Sequence, residues 1–223
     1  MLYLGDEIKD LYLGGGVSAA YYGSELVWQK ASPLPYTELE YINWVSGSGW
    51  ESDVAGNTTS YDLIIDWAPS SVSGYKALGI GTGSDLRAVG LQNANFMMWE
   101  YNGHTQVSGV TAVANTRYSI GFSWRSNTGR LYMDVDGGHE ISTTHYSWTA
   151  ANHVNNRFSM WGISGNSFTG KVYGITETVG DVLTHNWIPV RRTSDSAICL
   201  YDTVSEAFIT STTATQWTAG PEK

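Results

Sequence analysis

Two stretches of the sequence place large aromatic side chains beside amide and imidazole groups, in segments whose composition is typical of turns. They are MWEYNGHTQ at 98–106 and HYSWTAANHVNN at 145–156. Aromatic rings offer flat apolar surfaces, and amides and imidazoles donate and accept hydrogen bonds; sugar-binding sites use this combination. We predict that the two stretches form the rim of a weak glycan site. The candidate residues are Trp99, Tyr101, Asn102, His104, Tyr146, Trp148, Asn152 and His153.

Glycosidase chemistry would need two carboxyl groups roughly 5–9 Å apart, which an i, i+2 pair on one strand would supply. The sequence offers Glu51 with Asp53 and Asp134 with Asp136. The first pair lies in a loop rich in Ser and Gly, and the second runs into a turn at Gly137, where Asp is a common turn residue. We therefore expect no catalytic residues and a protein that is not an enzyme.

The sequence also offers little support for a metal-binding site. The five histidines are scattered and form no HxH or HxxxH pair of the kind that binds zinc. Calcium could use the carboxylates of Asp53, Asp134 or Asp136 together with loop carbonyls, but turn formation accounts for these aspartates more simply. The sequence therefore predicts no metal and no cofactor.

Composition narrows the classes of partner. The 223-residue chain has a net charge of −9, and a negative field repels phosphate backbones, so nucleic acid is not an expected partner. No run approaches the ~20 apolar residues of a membrane-spanning helix, and no secretion signal is visible, which predicts synthesis in a cytoplasm. Cys199 is the only cysteine and lies in the apolar run AICLYD, which predicts a buried, unreactive thiol.

Most of the chain has the pattern of short β-strands separated by Gly, Asn, Ser or Pro. The predicted strands are 60–69, 76–83, 86–92, 95–101, 117–125, 129–138, 157–164, 170–179, 183–192 and 197–202. In RYSIGFSWR, alternation puts Tyr118, Ile120, Phe122 and Trp124 on one face. No window keeps a helical period, so we predict an all-β antiparallel sandwich of two sheets. Most of the ten tryptophans are expected to fill its core.

The N-terminus carries a nine-residue repeat, LYLGDEIKD, LYLGGGVSA and AYYGSELVW at 2–28. Glycine recurs at the same place in each block and suits the first central position of a type II′ hairpin turn. The repeat predicts a small antiparallel β-meander with strands 1–4, 7–13, 16–22 and 25–29. Two-residue turns would bring the aromatic residue of each block opposite an apolar one. The predicted face consists of Tyr3, Ile8, Tyr12, Val17, Tyr21, Leu26 and Trp28.

Both faces of this meander are partly apolar, and a sheet of about 30 residues cannot bury two faces alone. We interpret it as an attachment or oligomerisation module, most simply of a homotrimer; the alternative is a hairpin appendage that packs on its own main domain. The prolines of SPLP at 32–35 break strand pairing and stiffen the chain. We therefore predict two domains, the meander at 1–32 and the sandwich at 33–223.

The C-terminal segment NWIPVRRTSDSAICLYDTVSEAFIT at 186–210 resembles the F-V-P-x-R-R-x-S-D-x-x-x-x-L-Y-D-x-V-x-x-x-F segment of phage-encoded and gut-bacterial surface proteins. The matching residues are Pro189, Arg191, Arg192, Ser194, Asp195, Leu200, Tyr201, Asp202, Val204 and Phe208. PLPYTELEYI at 33–42 resembles the Y-x-x-L-E-Y-I start of the same proteins. We expect the two arginines to hold Asp195 or Asp202 structurally. The chain departs from this pattern at VSGSGWESDVAG, where relatives often have S-T-G-T-Q-Y-I-D-T-G.

This resemblance implies a concanavalin A-like, laminin-G-like jelly roll of the kind that sits on tail fibres, tail tips and adhesins. The repeat is similar to short YLG-type repeats of bacteriophage tail and other virion proteins. Together they predict a non-enzymatic protein of a phage particle, made in the host cytoplasm and displayed on the exterior of the virion. Its expected partners are other virion proteins, copies of itself and a host-surface glycan. The alternative is a bacterial cell-surface adhesin or carbohydrate-binding module.

Overall fold

The computed structural model describes residues 19–22, 25–29, 33–46, 48–49, 51–55, 60–80, 87–99, 105–125, 130–138, 141–142, 157–159 and 169–223. The chain divides into two compact units, 1–34 and 35–223. No helix within these ranges is long and apolar enough to cross a membrane.

The N-terminal unit contains one described hairpin, in which β1 (Ala19–Tyr22) pairs antiparallel with β2 (Glu25–Gln29). Tyr21 lies opposite Leu26, as the repeat predicts, and Trp28 lies opposite Ala20 across an irregularity in the register. The other predicted members of the meander face lie outside the described residues. They are Tyr3, Ile8, Tyr12 and Val17.

Within the described residues, the regular secondary structure of the main unit consists of strands. They are β3 (Tyr36–Glu38), β4 (Ile42–Trp44), β5 (Glu51–Ala55), β6 (Tyr61–Pro69), β7 (Tyr75–Ile80), β8 (Arg87–Gln92), β9 (Asn95–Trp99), β10 (Thr105–Thr111), β11 (Tyr118–Arg125), β12 (Arg130–Val135), β13 (Ile141–Ser142), β14 (Arg157–Ser159), β15 (Gly170–Val179), β16 (Val182–Arg192), β17 (Ile198–Asp202), β18 (Ala207–Ile209) and β19 (Thr218–Ala219).

These strands form two antiparallel sheets. The smaller has the order β10–β9–β8–β7–β14–β5. The larger has the order β13–β12–β11–β6–β15–β16–β17–β18, with β3 paired to β16 and β4 paired to both β15 and β19. Strands distant in sequence are therefore neighbours, and residues near 43, 68 and 171 come together at one end of the larger sheet.

One hydrophobic core lies between the sheets, because side chains from both contribute to a single buried cluster. Alternate residues of β6 (Leu63, Ile65 and Trp67) are buried, as period-two patterning requires. Phe96 of the smaller sheet meets Tyr118 of the larger one edge to face, with ring centroids 4.9 Å apart. The main unit is thus an all-β jelly-roll sandwich, which confirms the predicted fold class.

Several local predictions are confirmed. Ile120 and Phe122 are almost completely buried beside Tyr118. All the tryptophans whose side chains are described are buried, namely Trp44, Trp67, Trp187 and Trp217. Cys199 is a buried free thiol, and burial raises its pKa.

The turn that follows β12 shows what the predicted turn aspartates do. Asp136 and Gly137 have φ values of 55° and 71°, the left-handed pair of a type I′ turn. Asp136 accepts a hydrogen bond from the Ser119 amide (2.8 Å), and Asp134 accepts one from the Gly137 amide (2.6 Å). Both carboxylates therefore hold the turn.

Candidate functional site

The predicted glycan rim falls largely on residues that the structure does not describe. Trp99 is the last residue of β9, where its backbone pairs with Ala88 and Thr105. The other seven candidates lie outside the described residues. They are Tyr101, Asn102, His104, Tyr146, Trp148, Asn152 and His153. This rim therefore stays a prediction.

A cleft of about 370 Å³ opens at one end of the larger sheet. It forms where β4 ends, β15 begins and the chain leaves β6, with the loop before β11 alongside. The polar and aromatic lining combines two amides, three hydroxyls, one ammonium group and an indole. These belong to Asn43, Asn115, Ser46, Ser70, Thr169, Lys171 and Trp44. We refer to this site as the end cleft.

Backbone pairing sets the positions of the cleft residues. β15 lies between β4 and β6 at this level, so Lys171 is paired with Asn43 on one side and with Ala68 on the other. Gly170 begins β15 with φ 139°, and a Cβ there would lie 2.2 Å from the Ala68 carbonyl oxygen. Only glycine lets the strands approach this closely.

Hydrogen bonds fix the opposite wall. The hydroxyls of Ser70 and Thr169 are 2.8 Å apart, and the Thr169 carbonyl accepts the Trp67 indole N–H at 3.2 Å. Asn115 has a left-handed φ of 63°, and its amide N–H donates to the Pro69 carbonyl at 2.7 Å. Within the described ranges no hydrogen bond engages the exposed Asn115 side-chain amide, which is available to a ligand.

The apolar part of the cleft is rigid. Trp44 is only 2% exposed, packs on Trp217 with ring centroids 5.0 Å apart, and donates its indole N–H to the Ser48 carbonyl at 3.3 Å. Asn43 donates its side-chain N–H to the Ala219 carbonyl at 3.2 Å, which leaves its side-chain oxygen as an acceptor. The end cleft can therefore exchange hydrogen bonds with a polyhydroxylated ligand.

A second polar constellation is buried farther along the same sheet. Glu177, His185 and Asp202 lie on neighbouring strands β15, β16 and β17 and share the face on which Trp187 is buried. His185 Nδ1 is 2.6 Å from Asp202 Oδ2, and its Nε2 is 3.9 Å from Glu177 Oε2. The imidazole stacks on the Trp187 indole at 4.5 Å between centroids.

Asp202 is the centre of this constellation. Burial alone would raise the pKa of Asp202, but hydrogen bonds from Ser205, Asn186, His185 and Val204 outweigh burial and lower the pKa to about 2. The donors include the Asn186 and Val204 amides at 2.9 and 3.0 Å. A carboxylate that stays ionised at neutral pH holds the turn after β17 and cannot donate a proton in catalysis.

Glu177 and Tyr61 are buried on the same sheet. Glu177 is completely buried and Tyr61 is 2% exposed. Burial, and then the nearby Glu177 carboxylate, raise the pKa of Tyr61 well above its ordinary value. The phenol is therefore neutral. Among the described residues, no group of three His, Cys, Asp or Glu side chains is arranged to hold a metal ion.

The residues that carry the phage-protein resemblance prove to have structural contacts. The Tyr36 and Tyr201 rings are 4.4 Å apart, and Phe208 packs against both. The Arg192 guanidinium forms two hydrogen bonds with Asp195, at 2.9 and 2.6 Å, as predicted. The two segments that carry the resemblance thus meet, because β3 pairs with β16.

The part of that prediction that concerns Arg191 is wrong. Its Nε lies 3.5 Å from Glu222 Oε1, and the buried Asp202 bonds to His185 instead of to an arginine. The sequence hypothesis missed His185 because it treated the histidines as scattered. Antiparallel pairing of β16 with β17 brings His185 close to Asp202, and no local pattern encodes that pairing.

The fold is similar to that of solved proteins. A candidate carbohydrate-binding protein from Bacteroides ovatus matches over 86% of this chain and 60% of its own, at 11% identity and a TM-score of 0.51. The CBM40 of the Ruminococcus gnavus IT-sialidase, solved with α2,3-sialyllactose, matches over 65% of this chain and 90% of its own, at 12% identity and a TM-score of 0.49. A Caenorhabditis elegans galectin matches over 59% and 91%, at 15% identity and a TM-score of 0.42.

At these identities the similarity establishes the fold alone, and the Bacteroides ovatus structure establishes it over most of the chain. No protein-family profile matches the chain, and no curated protein matches it in sequence.

Proposed function

We propose that this chain is a non-enzymatic carbohydrate-binding protein on the exterior of a bacteriophage particle, of the tail-fibre, tail-tip or head-fibre type. Its jelly roll attaches the particle to a glycan of the host surface. The observation that carries the proposal is the end cleft, which is lined by side-chain amides, hydroxyls, an ammonium group and the buried Trp44. The similar fold of the candidate carbohydrate-binding protein from Bacteroides ovatus supports it.

Placement on a virion rests on the sequence resemblance. The segments 33–42 and 186–210 resemble phage-encoded surface proteins, and the repeat at 2–28 resembles virion repeats. A single shallow glycan site binds with a Kd on the order of micromolar to millimolar. Several copies that engage together raise apparent affinity by about 10² to 10⁴. A trimer assembled through the meander would supply those copies.

Two measurements test the proposal. The full chain, labelled and applied to a glycan microarray, should bind a defined set of glycans, and heat-denatured protein should not. Mass spectrometry of purified virions should detect the chain in stoichiometric amounts. If the native chain binds no glycan at concentrations up to millimolar, carbohydrate binding is wrong.

The alternative location is a bacterial cell surface. The Bacteroides ovatus protein, which has a similar fold, comes from a bacterium. An adhesin would bind glycans equally well but would occur in the envelope fraction of uninfected cells. Detection there, together with absence from purified particles, would replace the virion assignment without affecting the binding site.

A further inference from the structure

Lys171 is the charged residue of the end cleft. Its Nζ lies 4.5 Å from the centroid of the Tyr41 ring, and no carboxylate of the described ranges pairs with it. The whole chain has a net charge of −9, so a cation without a carboxylate partner is against the trend of the sequence. Such a group, placed in a cleft, attracts an anion from outside.

The ammonium group lies over an aromatic ring that its neighbours hold in place. Tyr41 receives Lys171 on one side, while Gly220 packs so closely that a Cβ there would lie 2.6 Å from Tyr41 Cδ2. Tyr41 also meets Tyr173 at 5.4 Å between centroids. The ring is therefore fixed, and a cation–π contact presents the lysine head group beside the cleft.

The neighbouring cation provides a contrast. The Arg117 guanidinium lies 4.4 Å from the Tyr173 ring centroid, in the same kind of contact, but it also forms an ion pair with Asp66. Arg117 is thus paired with a carboxylate, whereas no carboxylate of the described residues pairs with Lys171. Both cations lie over a tyrosine ring, and they differ in whether a described carboxylate pairs with the cation.

We propose that the end cleft binds an anionic saccharide, with the Lys171 ammonium group pairing with its acidic group. The Asn43 and Asn115 side chains would exchange hydrogen bonds with neighbouring sugar hydroxyls. This inference rests on the proposed glycan-binding function and names its ligand class. A carboxylate and a sulfate ester share the required charge, so the experiment must separate a uronic or sialic acid from a sulfated sugar.

The test uses the full chain and matched probes in titration calorimetry or on a microarray. The probes are oligogalacturonate, its methyl ester, sialyllactose, lactose and a sulfated lactose. At least one anionic probe should bind about tenfold more tightly than its neutral counterpart, which corresponds to about 1.4 kcal/mol. The preference should shrink as salt is raised. Which probe shows it identifies the acidic group.

Lysine variants assign the effect to the cleft. Lys171→Gln should abolish the anionic preference, and Lys171→Arg should retain most of it. Lys223→Gln removes the same charge from a residue that pairs with Glu38 and does not line the cleft, so the preference should persist. Equal binding of anionic and neutral probes, or an unchanged preference in Lys171→Gln, would overturn the inference while glycan binding stands.

A second pair of variants avoids changing the lysine. Asn115→Asp adds a carboxylate at the cleft and keeps the left-handed backbone, which Asp also tolerates. Anionic probes should bind at least fivefold more weakly. Asn93→Asp is the matched control, because Asn93 also has a left-handed φ (48°), is exposed and does not line the cleft. Equal effects of the two substitutions would place the anion elsewhere.

Discussion

Asp202→Asn should destabilise the sandwich through loss of an ionised, buried hydrogen-bond acceptor. In the native protein Asp202 accepts from two backbone amides through Oδ1, and from Ser205 Oγ at 2.5 Å and His185 Nδ1 at 2.6 Å through Oδ2. An asparagine keeps one oxygen but turns its NH₂ group toward the Ser205 amide and hydroxyl and toward His185 Nδ1, which all donate to Oδ2 in the native protein. The folded state then loses the negative charge, and the new NH₂ group faces groups that donate hydrogen bonds in the native protein.

The magnitude follows from the pKa. The native pKa is about 2, against 3.8 for an unperturbed aspartate. One pKa unit corresponds to about 1.4 kcal/mol, so ionised Asp202 stabilises the fold by about 2 kcal/mol at neutral pH. A typical domain has an unfolding free energy of about 5–15 kcal/mol. We expect Asp202→Asn to lower that energy by about 2–3 kcal/mol at pH 7.

The pH dependence gives the sign of the effect. A carboxylate whose pKa is lowered by folding contributes its stability above the unfolded pKa, near 4, and loses it as pH falls through the folded pKa, near 2. The contribution of the Asp202 carboxylate to the difference between the parent and Asp202→Asn should therefore shrink as pH falls from 4 to 2. Urea unfolding followed by tryptophan fluorescence measures it, because Trp187 is buried next to the site.

Asp195→Asn is the matched control. The hydrogen bonds from Arg192, and then that from the Ala197 amide, also lower the pKa of Asp195 to about 2, but its side chain is 49% exposed. Solvent screens an exposed pair, so the urea midpoint should change much less than for Asp202→Asn. If the unfolding free energy of Asp202→Asn at pH 7 lies within about 0.5 kcal/mol of that of the parent, the stabilising role of Asp202 is refuted.

Gly170→Ala should destabilise the main unit by several kcal/mol, because the new Cβ would lie 2.2 Å from the Ala68 carbonyl oxygen at a φ of 139°; Gly138→Ala, with no atom within 4 Å of its Cβ, should leave the urea midpoint nearly unchanged. Trp99→Ala and Trp148→Ala should weaken attachment to host cells with an unchanged circular dichroism spectrum, and unfolding of both variants would show that these residues are core. Light scattering should report a trimer for the full chain and a folded monomer for the chain without its first 33 residues; monomers in both cases would contradict assembly through the meander.

Strands with clear alternation could be predicted from sequence. The bounds predicted for β15 agree with the structure at both ends, and β16 differs by one residue at its start. β10 (Thr105–Thr111) was not predicted, because TQVSGVT is polar and contains Gly109 at φ 78°. It becomes a strand by pairing with β9 at the edge of the smaller sheet. Tertiary pairing, and not local propensity, therefore makes this segment a strand.

The candidate sites divide in the same way. Sequence reasoning found aromatic and amide residues that are close along the chain, such as Trp99 and Tyr101. It could not find the end cleft, because Asn43, Asn115 and Lys171 are far apart in sequence and share no motif. Register decides their meeting, since β15 places Lys171 directly across from Asn43.

The sequence by itself determined the all-β class, the turn at Asp136 and Gly137, and the burial of tryptophans and Cys199. These follow from period-two alternation and turn chemistry, which act over a few residues. Only the tertiary structure decided the order of strands, the pairing of Asp202 with His185 instead of Arg191, and the position of Lys171. A strand edge offers the same hydrogen bonds to any partner, so packing of the whole core selects which strands lie side by side.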